Sequence, residues 1–225
     1  MDTLKMNAAE TMLFLNFQDG FKPAPLPYET QFVPGYSTVV MDYNADGNED
    51  IFLAQNFFGT RTQDRRLDAG RGLLLEGDGT GIFKAISGSD SGIKVYGEQR
   101  AAAASDINND NKIDLVVTQN GSQTKLFENK LSKKALTVSL KGQSDNPNAI
   151  GASVRLLYET HSGPQREVKA GSGYWSQNSS DLLLGYQTFP SAIEVTWPGG
   201  TTDTINLTQK SDNIIIYHDG TIQYN

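Results

Sequence analysis

Two short stretches of the chain place oxygen-bearing side chains at a fixed spacing. Residues 42–50 and residues 106–114, 64 residues further on, share Asp, Asn, Asp and Asp at positions 1, 3, 5 and 9. Alternate residues of a tight turn can aim at one point, and a backbone carbonyl at position 7 can join them. Such hard oxygen donors suit Ca²⁺, which takes six to eight oxygens at about 2.3–2.6 Å. The predicted donors are Asp42, Asn44, Asp46, Asp50 and the Asn48 carbonyl in the first loop, and Asp106, Asn108, Asp110, Asp114 and the Lys112 carbonyl in the second.

An EF-hand begins with a similar run of residues, but it needs a bidentate Glu at position 12 and a helix on each side. Position 12 is Leu53 in the first loop and Val117 in the second. The flanking runs are short and rich in β-branched and aromatic residues, which is typical of buried strands. Each loop is therefore expected to join two strands. The alternative is an Asp/Asn/Gly turn that hydrogen-bonds only to itself.

Position 6 of each loop has to make a sharp turn. Gly47 supplies this turn in the first loop, and Asn111 takes its place in the second. Asn enters the left-handed region of backbone conformation more readily than most residues do. The second loop is therefore expected to make the same turn, although it departs from the pattern of the first loop.

The composition excludes several classes of function. The 225 residues carry a formal net charge of −7 and contain no Cys, so soft-metal sites, disulfides and thiol chemistry are excluded. An acidic surface repels phosphate backbones, and nucleic acid is not expected as a partner. No apolar run approaches the ~20 residues of a membrane helix, so no membrane insertion is expected. Calcium loops of modest affinity are occupied at the millimolar calcium concentrations found outside the cytoplasm. This favours an extracellular, cell-surface or periplasmic location.

The order of the predicted strands repeats together with the loops. Residues 36–87 predict four strands, and residues 100–129 repeat the first three of them around the second loop. Residues 13–27 predict two further strands. A four-strand unit at a period of about 60 residues is typical of β-propeller blades, and a closed propeller has four or more. Residues 12–131 are therefore predicted to form a partial propeller, with the remaining blades missing from this chain.

The pattern changes in the second half of the chain. Residues 135–220 contain about seven short apolar or alternating segments separated by turns, and one of these segments is predicted at residues 166–177. Such spacing is typical of a small sandwich or barrel. The predicted fold class is all-β, a partial β-propeller followed by a small β-sandwich or barrel domain.

The two loops and the strands that follow them resemble FG-GAP repeats, also called VCBS-type repeats. These repeats form the calcium-loop blades of the integrin α-subunit propeller, where the loop joins the first two strands of a blade. The resemblance implies that the donors named above are calcium ligands in both loops.

The second half of the chain resembles the ASPIC and UnbV domain. The resemblance is carried by residues 150–154, 165–168, 171–177 and 197–200. Ala149 and Tyr186-Gln187 depart from the Gly and the Leu-Gly that are common in that family. The order of the two parts resembles the cartilage acidic protein family and its bacterial relatives. This resemblance implies exported, calcium-binding proteins of adhesion or recognition, and it brings no catalytic residues.

Residues 171–177, Gly-Ser-Gly-Tyr-Trp-Ser-Gln, are the best candidate for a recognition surface. Tyr174 and Trp175 offer a large contact area at little entropic cost. The pattern favours the alternative, a glycine-kinked strand with both rings in the core. Trp197 is expected to anchor the core at the end of a strand.

An enzyme would have to use residues outside the two loops. Arg166 and Glu167 are expected to be a solvated pair on a strand. His161 and His218 fall in turns, and neither belongs to a hydrolase motif with a Ser or Cys nucleophile. We therefore expect a non-enzymatic, exported calcium-binding scaffold with a protein or glycan partner. The alternative is a glycan-binding or glycan-processing accessory module that uses the Tyr174-Trp175 face or carboxylates outside the loops.

Overall fold

Short alternating segments form strands along the whole of the chain that the structure, a computed structural model, describes, namely residues 9–131 and 133–225. Residues 9–131 contain nine strands: β1 (Met12–Phe17), β2 (Gly20–Pro25), β3 (Gly35–Met41), β4 (Asp50–Gln55), β5 (Leu73–Gly77), β6 (Phe83–Ile86), β7 (Glu98–Ser105), β8 (Asp114–Asn120) and β9 (Ser122–Phe127). A single-turn 3₁₀ helix at Tyr28–Gln31 lies between β2 and β3.

The strands of the first half pair with their neighbours in the chain. β1 and β2 form one antiparallel pair, β3 to β6 form a four-stranded sheet, and β7 to β9 form a three-stranded sheet. The small sheets have a propeller-like arrangement. The predicted all-β fold class and the predicted order of two, four and three strands are confirmed.

The core of the first half joins the second and third sheets. β4 is buried along its whole length, and Phe52 at its centre is fully enclosed. β7 contains four consecutive alanines, of which Ala102 and Ala104 pack in the same cluster as Val39 and Met41 of β3. Because Ala is small, β7 can lie close to β3. The loops that follow β3 and β7 are thereby brought near each other.

The second half consists of two four-stranded sheets. Residues 133–225 contain β10 (Leu136–Lys141), β11 (Ser153–Leu157), β12 (Ser162–Glu167), β13 (Leu182–Leu184), β14 (Ala192–Thr196), β15 (Thr202–Asn206), β16 (Asn213–Tyr217) and β17 (Ile222–Tyr224). The strand orders are β13-β10-β16-β17 and β12-β11-β14-β15. Apolar side chains of both sheets share one core cluster, so of the two predicted alternatives the sandwich is present.

Two features of the sandwich escaped the sequence analysis. β17 is an eighth strand, and it lies beyond residue 220, where the predicted domain ended. β10 pairs with β16 in parallel, although more than 70 residues separate them. Parallel neighbours far apart in the chain leave no local signal, because the pairing depends on which faces meet in the core.

Residues 171–177 do not form the predicted strand. β12 begins and ends earlier, and the chain then turns at Gly171 and Gly173, which adopt φ values of +127° and +70° that an extended strand excludes. Tyr174 is 42% exposed and Trp175 is 90% exposed, so the interpretation that placed both rings in the core is wrong. Trp197 is only 7% exposed and belongs to the sandwich core, as predicted.

No sheet of the described residues combines strands from before and after the change of sequence pattern near residue 132. Every sheet within residues 9–131 and 133–225 takes its strands either from β1–β9 or from β10–β17. The division into domains over residues 12–131 and 135–220 stays a prediction. Among the described residues, no helix has the length and apolar character needed to cross a bilayer.

The two tryptophans provide a matched test of the sandwich core. Trp197 is packed in the core, and its indole N–H donates to Asp203 Oδ2 at 2.8 Å. Trp197→Ala is expected to lower the free energy of unfolding by about 3–5 kcal/mol, because it leaves a cavity and an unpaired carboxylate. Trp175→Ala is the control and is expected to change it by less than about 0.5 kcal/mol. Urea unfolding followed by circular dichroism measures both, and equal losses would contradict the assignment of core and surface.

Candidate functional site

The first predicted loop joins β3 to β4 and is held by its own backbone N–H groups. Asp42 accepts hydrogen bonds from the N–H of Asp46 at 3.0 Å and of Gly47 at 2.9 Å. Asn44 Oδ1 also accepts from the Asp46 N–H at 3.0 Å, and Asp46 Oδ1 accepts from the Asn48 N–H at 2.7 Å. These bonds fold residues 42–48 into a compact turn, with the side-chain oxygens of positions 1, 3 and 5 facing the backbone.

Asp50 connects the first loop to the next strand of the sheet. Its Oδ2 accepts from the N–H of Tyr43, at the start of the loop, at 3.1 Å. Its Oδ1 accepts from the N–H of Gly77, at the end of β5, at 2.8 Å. The side chain is completely buried. One carboxylate therefore holds together the two ends of the loop and the third strand of the sheet.

The second loop, between β7 and β8, repeats every one of these hydrogen bonds at the equivalent positions. The bonds run from Asp110 N to Asp106 Oδ1 and Asn108 Oδ1, from Asn111 N to Asp106 Oδ2, from Lys112 N to Asp110 Oδ1, and to the two oxygens of Asp114 from Ile107 N and Asn129 N. The loops are thus equivalent in geometry as well as in sequence. The replacement of Gly47 by Asn111 does not alter the turn, because Asn111 adopts φ +62°.

A glutamate at the end of the third strand, Glu76, or just beyond it, Glu128, joins each loop, which the sequence analysis missed. Asn44 Nδ2 donates to Glu76 Oε1 at 3.2 Å, and Asn108 Nδ2 donates to Glu128 Oε1 at 3.1 Å. The signal was present, because Glu76 and Glu128 occupy the same position of the repeated unit. Each loop therefore has a further carboxylate close to its Asn at position 3.

The charges of the first loop are only partly compensated. Burial raises the pKa of Asp42, an effect that the Arg166 guanidinium opposes. Burial also raises the pKa of Asp50 to about 7, although the N–H groups of Gly77 and Tyr43 oppose the rise. Removing a carboxylate from water disfavours its charged form, and a nearby cation restores that form. A cation placed beside these carboxylates would therefore favour their charged forms.

The second loop contains cations of its own. Lys112 Nζ lies 3.0 Å from Asp110 Oδ2, and Lys130 pairs with Glu128. Slight burial acts to raise the pKa of Asp110, but the hydrogen bond and the charge of Lys112 outweigh it and lower this pKa. An added cation has less negative charge to neutralise here than in the first loop.

Arg166 is not the solvated residue that the sequence suggested. Its side chain is only 12% exposed, and its Nε donates to Glu49 Oε1 at 2.7 Å. The guanidinium also donates to the Leu183 carbonyl and lies 3.8 Å from Asp42 Oδ2. The expectation failed because β12 lies over the first loop, so that its inward-facing residue meets the carboxylates of the propeller part. Glu167, the next residue along β12, is exposed as expected.

The first loop packs directly against the sandwich at Gly185. A Cβ atom at this position would lie 2.0 Å from Asp42 Oδ2 and 2.6 Å from Ala45 Cα. Ala45 is buried in one small cluster with Ile113 of the second loop and Leu183 of β13. Only Gly fits at position 185, because the loop backbone occupies the space of a side chain.

The second loop contacts the sandwich through Asn111. Its Nδ2 lies within hydrogen-bonding distance of Thr137 Oγ1 (2.9 Å), the Asp212 carbonyl (3.1 Å) and Asn213 Oδ1 (2.8 Å). Its carbonyl accepts from the Ala135 N–H at 2.8 Å. The departure from Gly at position 6 therefore has a structural reason, since a glycine could not make the side-chain contacts.

The donor chemistry of both loops fits Ca²⁺. Among residues 9–131 and 133–225, no group of three or more His, Cys, Asp or Glu side chains converges as a metal cluster. The side chains at positions 1, 3, 5 and 9 nevertheless all carry carboxylate or amide oxygens, the ligands of a hard cation. A carboxylate has about four lone-pair sites, and the N–H bonds described above use only part of them. If calcium binds, Asp42, Asn44, Asp46 and Asp50 would hold it in the first loop and their counterparts in the second.

A second candidate site lies at the start of β3, away from the loop that follows its end. Phe57, Tyr36, Tyr174 and Trp175 form, in this order, a chain of rings, here called the aromatic face, with successive centroids 6.1–6.2 Å apart. The Tyr174 N–H donates to Ser37 Oγ at 3.3 Å, which ties the two halves of the chain together at this face.

The turn that carries Trp175 is tightly bonded within itself. Ser172 N donates to the Ser176 carbonyl at 2.8 Å, and Ser176 Oγ donates to the Ser172 carbonyl at 2.6 Å. Asn178 N donates to Ser172 Oγ at 3.0 Å. Trp175 has φ +49°, a conformation that is strained for a bulky residue. An exposed indole is thus held in a costly conformation by a rigid turn.

The comparisons with known proteins bear on the second half of the chain. A model of the ASPIC and UnbV family matches residues 142–223, from the end of β10 to β17. This match supports the resemblance seen in the sequence. A search of curated proteins finds none that matches the chain. The resemblance of the first half to FG-GAP repeats stays a prediction.

Gly185→Ala tests the contact between the first loop and the sandwich. A methyl group there would meet Asp42 and the Ala45 backbone, so we expect a loss of at least about 2 kcal/mol in the free energy of unfolding. Gly35→Ala is the control, because its nearest neighbour is a carbonyl at 4.0 Å. Thermal unfolding of both variants measures the difference. Equal melting temperatures would show that the loop does not pack against Gly185.

Proposed function

We propose that this chain is a non-enzymatic, exported scaffold of adhesion or recognition, in which Ca²⁺ stiffens the loops of FG-GAP-like blades. The observation that carries the proposal is the repeated hydrogen-bond pattern of the two loops. A chance turn has no reason to recur with the same donors, the same acceptors and a glutamate at the same place. Two all-oxygen loops of one geometry are what a repeated calcium-binding unit requires.

Calcium would act on stability through the strands that each loop connects. Asp50 and Asp114 already tie their loops to the third strands of their sheets. A cation held by the three aspartates of a loop neutralises their mutual repulsion and the cost of their burial. The loop, the two strands that it joins and the neighbouring strand then become one rigid unit.

The expected affinity fits a location outside the cytoplasm. Each loop offers three Asp and lacks the bidentate Glu of an EF-hand, so a dissociation constant of about 10⁻⁴–10⁻³ M is expected, the range of extracellular modules. Such a site is filled by millimolar calcium and is empty at cytoplasmic levels. We therefore propose an extracellular, cell-surface or periplasmic location.

Thermal unfolding with and without calcium tests the proposal. At 100 times the dissociation constant each site adds about 2.7 kcal/mol, or roughly 5–10 °C for a chain of this size. Asp46→Ala with Asp110→Ala is expected to abolish the shift. Asp46→Ala alone is expected to remove more of it than Asp110→Ala alone, because Lys112 already pairs with Asp110.

Two controls accompany the calcium experiment. Asp145→Ala, at an exposed turn of the sandwich, makes the same chemical change away from the loops and is expected to keep the full shift. Mg²⁺ at the same concentration is expected to give a smaller shift, because it demands a tighter octahedral geometry. If 10 mM calcium leaves the wild-type melting temperature unchanged, the loops are hydrogen-bonded turns and the proposal is wrong.

A second candidate function is glycan binding by the aromatic face. The observation that favours it is the exposure of Trp175, which the structure holds 90% open to solvent in a strained conformation. Strain of this kind persists at binding sites more often than elsewhere. Flat rings offer a large apolar surface, and the neighbouring Ser and Asn side chains offer hydrogen bonds to hydroxyl groups.

An oligosaccharide array tests this second candidate. Tyr174→Ala with Trp175→Ser is expected to abolish binding and to leave the melting temperature within about 2 °C of the wild type. The control pair is Tyr28→Ala with Phe32→Ser, which removes two other exposed rings in contact with each other. Glycan binding that survives the first pair, or that the control pair abolishes equally, would refute the role of the aromatic face.

A further inference from the structure

An unusually basic segment lies beside the aromatic face. Residues 58–71, here called the arginine loop, connect β4 to β5 and contain four of the seven arginines of the chain. The four are Arg61, Arg65, Arg66 and Arg71, and all of them are exposed. Only two aspartates stand among them, in a chain whose formal net charge is −7. The arginines of this acidic protein are thus clustered in one loop.

The arginine loop is attached to the aromatic face through Phe57. Phe57, which precedes the loop, forms an antiparallel bridge with Leu67, so that the loop folds back onto the aromatic face. The Phe58 N–H donates to Glu98 Oε1 at 2.7 Å. The Arg66 guanidinium lies 4.6 Å from the centre of the Phe58 ring, and the Arg71 guanidinium lies 4.7 Å from that of Tyr96.

A further arginine underlies the aromatic face itself. The Arg100 guanidinium lies 4.0 Å from the centre of the Tyr36 ring and 5.9 Å from that of Phe57. It is held there by Glu98 at 2.6 Å. The aromatic face and the arginine loop therefore meet at Phe57, which lies beside Tyr36 and Arg100 and pairs with Leu67 of the loop.

Several of these cations have no acidic partner within the protein. Arg66 pairs with Asp68 at 3.5 Å, and Arg100 pairs with Glu98. Among the described residues, no ion pair joins Arg61, Arg65 or Arg71 to a carboxylate within 4.0 Å. The exposed guanidinium groups of Arg61 and Arg65 thus remain available to an external anion. Arg71 donates from Nη1 to the Asp68 and Gly70 carbonyls at 2.9 and 2.7 Å, which orients its remaining N–H groups. A guanidinium binds a carboxylate or a sulfate through two parallel hydrogen bonds.

We propose that the aromatic face and the arginine loop together bind an anionic glycan, whose carboxylate or sulfate groups pair with Arg61, Arg65 and Arg71 while its sugar rings pack on Trp175 and Tyr174. This inference rests on the second candidate function, glycan binding by the aromatic face, and it specifies the chemical class of the ligand. Apolar ring faces and repeated negative charges occur together in uronic-acid and sulfated polysaccharides. The aromatic rings would pack on the apolar faces of the sugars, and the guanidinium groups would pair with the negative charges.

The ring geometry favours a glycan over a single-stranded nucleic acid. The planes of Tyr174 and Trp175 are tilted by 38°, and those of Tyr36 and Tyr174 by 75°. Successive bases stack on aromatic platforms that present their faces along one strand. Rings inclined to one another instead suit separate contacts with puckered sugars.

Isothermal titration with defined hexasaccharides tests the proposal. Hyaluronan and chondroitin-sulfate hexasaccharides are the anionic probes, and chitohexaose is the neutral probe. The anionic probes are expected to bind about tenfold more tightly than chitohexaose, and raising the salt from 50 to 300 mM is expected to weaken only their binding. Arg61→Gln with Arg65→Gln and Arg71→Gln is expected to remove that preference.

The matched control neutralises three exposed lysines elsewhere, Lys125→Gln with Lys141→Gln and Lys210→Gln, and is expected to keep the preference within about twofold. Arg65→Gln alone is the second variant if the triple arginine variant unfolds, and a preference reduced about twofold is expected for it. Trp175→Gly, which relieves the positive φ, is expected to weaken binding of all three sugars.

The outcomes separate the two proposals. Equal binding of neutral and anionic sugars, lost in Trp175→Gly, would overturn the inference about charge and leave glycan binding by the aromatic face intact. Failure of all three sugars to bind would overturn both. A single-stranded oligonucleotide that binds more tightly than the anionic hexasaccharides would overturn the inference in favour of nucleic acid.

Discussion

The propeller part depends on one buried carboxylate per loop. Asp50 and Asp114 each accept one N–H from the start of their own loop and one from the end of the third strand of the same sheet. A buried carboxylate has to be compensated by hydrogen bonds or by a cation, because water no longer solvates it. These two side chains therefore determine where each loop begins, where it ends and which strand lies beside it.

The same loops join the two halves of the chain. Arg166 reaches from β12 to Glu49 and Asp42, Gly185 leaves room for the first loop, and Asn111 binds the sandwich from the second. A change in the charge of the first loop therefore alters its electrostatic interaction with Arg166 of the sandwich. The aromatic face lies at the other end of β3, roughly 17 Å away along the strand. An ion bound in the loops, as proposed, would thus stabilise the fold without occupying the surface proposed for recognition.

Much of the architecture was predictable because its signals are local. The spacing of Asp and Asn predicted the loops, and the short apolar runs predicted the strands on either side. The position of Glu76 and Glu128 in the repeat was also visible, although its meaning was not, since the sequence does not tell which strand comes to lie beside a loop. The location of Trp175 was predicted wrongly because a Tyr-Trp pair after two glycines is compatible both with a kinked strand and with an exposed turn. The choice depended on the positive φ values of Gly171 and Gly173, which are a property of the backbone.

The sequence by itself determined that this protein is all-β, that it carries two equivalent oxygen-rich loops, and that its composition excludes cysteine chemistry. These conclusions follow from residue types and spacings, which act over a few positions of the chain. Only the tertiary structure decided that Arg166 is buried against the first loop, that Asn111 connects the second loop to the sandwich, and that four rings meet beside a cluster of arginines. Each of these contacts joins residues far apart in the sequence, and packing between the two halves selects them, because burial and charge compensation depend on which surfaces meet.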